Sequence, residues 1–129
     1  MKQIHARRGF TLIELIVVLA IVALLASIVA PRYFHSVDRA REATLRTTLS
    51  TTRDAIDKFV GDQGRYPESL DELVDKHYIR ELPMDPVTGK RDTWLAEPPP
   101  PDSIHTGGMA DLRSGAEGKS LDGSAYQDW

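Results

Sequence analysis

The sequence predicts an α+β fold: a long N-terminal helix, apolar in its first half and bent near Pro31, packed against a small C-terminal body with a short helix and a small antiparallel sheet. Three observations predict it. Phe10 to Ala30 is an apolar run with one charge, Glu14. From Arg32 to Val60 the apolar residues recur three or four apart. Beyond Gly61 the apolar stretches are short and broken by Pro and Gly, which suits brief strands and turns. With 129 residues the chain has room for one small domain. The segments are a leader at 1–9, a membrane-spanning helix at 10–30, an amphipathic continuation at 31–60 and a globular body at 61–129.

Residues 1–9 carry Lys2, Arg7 and Arg8 and no acid. Residues 10–30, at about 1.5 Å rise each, match a hydrocarbon core of about 30 Å. Basic residues stay on the cytoplasmic side, which sends the body across the membrane. An ordinary secretory signal, with small residues near Ala26-Ser27-Ile28, and an uncleaved signal anchor are the alternatives. A carboxylate inside such a helix costs on the order of a few kcal/mol when unpaired, so Glu14 marks a functional position or rests among lipid headgroups. It lies four residues after Phe10, on the same helix face. A cut before Phe10 would create an amine that a neighbouring chain's Glu14 would meet. Ala20, Ala23, Ser27 and Ala30 form a small-residue stripe, which lets helices approach closely or reflects how common alanine is there. Pro31 removes one backbone bond and bends the helix.

In the continuing helix Phe34, Val37, Leu45, Leu49, Ile56 and Phe59 fall near one face. Arg39, Arg41, Glu42, Arg46, Arg53, Asp54 and Lys58 occupy the other sides and read as a solvated face ahead of defined intersubunit pairs. Gly61 and Gly64 stop the helix. Ser69-Leu70-Asp71-Glu72 is a capping-box pattern that opens a short helix with Leu70, Leu73, Val74 and Tyr78 on its apolar face. Leu82 to Lys90 is rich in turn residues, and Pro83 and Pro86 bar a central strand. The expected strands are Thr93–Ala96 and Met109–Arg113, joined across a stiff connector, Pro98 to Pro101. So small a body needs the amphipathic helix as one wall of its core.

Several function classes are excluded or disfavoured. Cysteine is absent, so there is no disulfide and no thiol nucleophile. The net charge of −3 disfavours nucleic-acid binding, which needs clustered cations. His5, His35, His77 and His105 are scattered and no nucleophile-base grouping accompanies them, so no enzyme activity is expected. His77 reads as a helix-end residue.

Arg8-Gly9-Phe10-Thr11-Leu12-Ile13-Glu14-Leu15 resembles the cleavage and methylation signal of type IV pilins and type II secretion pseudopilins. The resemblance implies that prepilin peptidase cuts between Gly9 and Phe10 and N-methylates Phe10. It implies that Glu14 pairs with the Phe10 amine of an adjacent subunit, and that residues 10–30 become a filament core. Gly64-Arg65-Tyr66-Pro67, Leu82-Pro83 with Asp85-Pro86, Trp94 and the final Trp129 are similar to the major pseudopilin of type II secretion systems. This second likeness implies a pilin-like structural subunit of a homo-oligomeric helical filament. Its partners would be the inner-membrane assembly platform and minor pseudopilins. It would sit in the bacterial inner membrane with a periplasmic body before joining the filament. A type IV pilus pilin, major or minor, is the alternative within the superfamily, although many of those close a loop with a disulfide. A membrane-anchored periplasmic binding module is the alternative outside it. The resemblance also implies calcium in the C-terminal loop. The paired acidic residues usual there are lacking, and only Glu117 and Asp122 carry over as ligands; a solvated acidic loop is the alternative.

Overall fold

The computed structural model describes residues 3 and 8–129. The leader reading at Lys2 and Arg7 lies outside the described residues. The chain divides into two units, Met1–Val37 and Asp38–Trp129. One helix, α1 (Leu12–Gln63, 52 residues), contributes to both. Pro31 stands inside it and the helix is unbroken there. It ends three residues later than the sequence suggests. Gly61 is accommodated within the last turn, and the stop falls at Gly64, whose φ of 71° is open to glycine and whose N–H reaches the Val60 carbonyl at 2.9 Å.

In the first unit the apolar stretch of α1 carries an 18-residue window of mean hydropathy 3.0, with none of it buried. Phe34, expected on the buried face, is 65% exposed here. The body's core begins further along the chain, at Leu45.

The second unit holds the core. Leu45, Leu49, Ile56 and Phe59 of α1 pack with Leu73, Met109 and Leu112. Thr52 and Ala55 are buried on the same helical stripe. Thr52 fits because its hydroxyl donates to the Thr48 carbonyl at 2.8 Å, so no polar group is orphaned. Helix α2 (Leu70–Asp75) offers Leu73 to this core. The expected capping box at its start is not realised. Ser69 makes no side-chain cap. Glu72 instead accepts the Glu68 N–H at 2.7 Å and pairs with Arg65. The helix closes on His77 at φ 65°, with His77 N–H to the Val74 carbonyl (3.1 Å) and Tyr78 N–H to the Leu73 carbonyl (2.9 Å). That is a Schellman end with histidine where glycine is usual, so His77 is a helix-end residue as its position suggested.

The sheet has two antiparallel strands, β1 (Trp94–Glu97) and β2 (Asp111–Ser114), with Trp94 opposite Ser114 and Glu97 opposite Asp111. Both are shifted toward the C-terminus from the expected spans. Met109 is drawn out of the ladder because its N–H donates to the Pro67 carbonyl at 2.9 Å. Gly115 follows β2 because a Cβ there would collide with the Thr93 carbonyl oxygen. The turn before β1 is built on Asp85, which is fully buried. Its carboxylate accepts the Val87 N–H (2.8 Å), the Thr88 N–H (3.3 Å) and the Ser114 hydroxyl (2.5 Å). A short 3-10 turn, Tyr126–Asp128, ends the fold.

Candidate functional site

The residues that carry the N-terminal signal sit at the start of α1. Arg8, Gly9 and Phe10 are exposed and precede the helix. Phe10, Ile13, Glu14, Val17 and Val18 line one hollow on the α1 surface. Thr11 and Glu14 bond reciprocally. Glu14 Oε2 accepts the Thr11 N–H at 2.9 Å, and Thr11 Oγ1 accepts the Glu14 N–H at 3.2 Å. This is a complete capping box, which satisfies two backbone groups and places a negative charge at the positive end of the helix. The sequence reading gave Glu14 to a neighbouring subunit and overlooked this local role. The Thr-x-x-Glu spacing was the signal that would have found it.

A second cluster lies in the body, where three charged residues of α1 hold the last residues of the chain. Glu42 Oε1 accepts the Leu121 N–H (2.7 Å) and the Tyr126 hydroxyl (3.1 Å). Burial pushes the Tyr126 phenol pKa up, with the Glu42 hydrogen bond adding to it. The Arg46 guanidinium stands 3.7 Å over the Trp129 ring centroid and 3.7 Å from Asp122 Oδ2. Arg53 binds Asp111 (2.8 Å), the Leu112 carbonyl (2.9 Å) and the Trp129 carbonyl (2.8 Å). These side chains recur at helical spacing on one flank of α1. Charge alone marked them as solvated; their partners, 58 to 84 residues away in sequence, carry no local signal.

Of the two residues carried over as calcium ligands, Glu117 is exposed after β2 and Asp122 lies in the turn beyond. Among the described residues no three His, Asp or Glu side chains gather to hold a metal. Asp122 Oδ1 accepts the Ser120 hydroxyl, the Ser124 N–H (2.9 Å) and the Ser124 hydroxyl (2.6 Å). Those bonds, Ser120 first, hold its pKa down to about 2. Calcium takes six to eight oxygens, so beside this engaged carboxylate it would need several backbone carbonyls or other groups.

Comparison with known proteins decides the family. The pattern described as the prokaryotic N-terminal methylation motif matches residues 4–30. The type II secretion system core protein G of Klebsiella michiganensis is 33% identical over 110 residues, 73% of this chain and 76% of the relative. The chain belongs to the type II secretion system core protein G family. Its likeness to the core protein G of Pseudomonas aeruginosa is more extended, 31% over 134 aligned positions, 91% of this chain and 89% of that one. The core protein G of Klebsiella pneumoniae is 34% identical over 96 residues, 62% of this chain and 69% of the relative. No solved structure gives a significant match. The family fits the observed α+β architecture, a long apolar-headed helix with a short helix and a two-stranded sheet.

Proposed function

We propose that the chain is the major pseudopilin of a type II secretion system, a structural subunit rather than an enzyme, which assembles through its N-terminal helix into a pilus-like filament. The observation that carries this reading is the methylation motif over residues 4–30 joined to a body related to core protein G. In this reading prepilin peptidase cuts between Gly9 and Phe10 and methylates the Phe10 amine. The apolar stretch of α1 first rests in the inner membrane, with the leader cytoplasmic and the body periplasmic. It then exchanges lipid for sister helices as the assembly platform and minor pseudopilins build the filament. Close helix packing drives that exchange, since lipid and leucine are equally apolar. The Glu14 carboxylate of one subunit meets the Phe10 amine of the next. Such a pair adds little net stability but fixes register, because any other alignment leaves a charge unpaired in an apolar surround.

Glu14→Ala is expected to leave leader cleavage and membrane insertion intact and to abolish filaments in electron micrographs. Glu14→Gln separates the two roles of the residue. Glutamine also closes a capping box but brings no charge. Loss of filaments in both variants supports the register role. Normal filaments from the Gln variant would reduce Glu14 to a helix cap. Mass spectrometry of the native N-terminus gives an independent check: methylated Phe10 is expected, and an intact Met1 would favour the membrane-anchored binding module.

A further inference from the structure

We propose that residues 119–129 are locked onto α1 by the Arg46 guanidinium, which fills the role of a bound cation, so that the body orders this segment without calcium. A calcium ion in such a loop would draw several oxygens together and offset their negative charge. Here a covalently tethered cation offsets the Asp122 charge and covers Trp129, while hydrogen bonds within the turn gather its side-chain oxygens. One face of the Arg46 guanidinium covers the Trp129 ring, and one nitrogen stands 3.7 Å from Asp122 Oδ2. The planar, weakly hydrated guanidinium suits a site that is half aromatic and half carboxylate. Hydrogen bonds within the turn engage the side-chain oxygens of Ser120, Asp122 and Ser124. Asp122 Oδ1 holds Ser120 and Ser124, the Ser124 N–H and the Trp129 indole N–H add two more bonds, and the Ser120 N–H reaches the Ser124 carbonyl at 2.8 Å. A divalent ion placed on Asp122 would have to break these bonds and would face a fixed positive charge a few ångströms away. Glu42 and Arg53 complete the seat on either side along α1, on Tyr126 and on the Trp129 carbonyl.

The test is thermal unfolding of the full chain in detergent, followed by tryptophan near-ultraviolet dichroism, in millimolar calcium and in excess chelator. The two melting curves of the wild type are expected to coincide. Arg46→Ala is expected to lower Tm by about 4–8 °C in both conditions. It should also speed amide exchange across residues 119–129, with calcium restoring neither. Arg46→Lys keeps the charge without the planar stack and should fall between. A wild-type Tm that rises with calcium overturns the proposal, as does an Arg46→Ala chain with unchanged Tm and exchange. If Arg46→Ala does not fold, the wild-type comparison and Arg46→Lys decide the matter. The readouts concern the body alone, so they stand apart from any failure of filament assembly.

Discussion

Every large apolar side chain from Leu12 to Val29 is at least 50% exposed, whereas Leu45, Leu49, Ile56 and Phe59 on the same helix are 2% exposed or less. The residue types are alike; what differs is where their cover comes from. The second unit supplies its own wall from Leu73, Met109 and Leu112. The first presents apolar surface on all sides. The contrast teaches that one helix holds two kinds of stability. One segment is buried by its own unit and the other is left exposed within its own.

Four experiments would break or sharpen this contrast. Leu49→Ala should cost about 4 kcal/mol of body stability in a denaturant melt, while Leu19→Ala leaves that melt within about 0.5 kcal/mol. Equal losses would mean that the two segments draw on the same cooperative melt. Asp85→Ala should cost about 2–3 kcal/mol, because it strands the Val87 and Thr88 N–H groups and the Ser114 hydroxyl in a buried turn. Acid gives a smaller and more local effect. Asp122 has its pKa lowered to about 2 by Ser120 and Ser124, so its contribution is complete above the ordinary aspartate value of about 4. That contribution fades as pH falls from about 4 to about 2, as depressed carboxylates do. Amide protection at residues 119–129 should therefore fall in that window ahead of the Leu45 region. Glu72, lowered chiefly by its Arg65 hydrogen bond, adds to acid sensitivity in the same direction. The smallest change is His77→Gly. Relieving φ 65° should stabilise the body by about 0.5 kcal/mol in the same melt, after the entropy of glycine is subtracted.

The sequence made the local features legible and left the distant ones dark. The apolar period of 45, 49, 56 and 59 was readable because helical spacing repeats within a few residues. The strands were found but displaced, since their ends are set by Pro67 and Thr93, which lie elsewhere in the chain. Thr52 escaped notice because its polarity hides that its hydroxyl is spent on its own helix. Glu42, Arg46 and Arg53 were placed with the solvated charges, because nothing within a turn of them announces Tyr126, Trp129 or Asp111. At the N-terminal signal the order was reversed. The residues Gly9, Phe10 and Glu14 were plain in the sequence, and the structure added the bond between Glu14 and Thr11.

The tie between α1 and the last residues also sets a timetable. Glu42 meets Tyr126 across 84 positions and Arg53 meets the Trp129 carbonyl across 76. Contacts of such separation form late, after the loop between them has closed. A ribosome adding about 5–20 residues per second would expose α1 for several seconds before its final partners emerge. Through that interval the body lacks its last fastening.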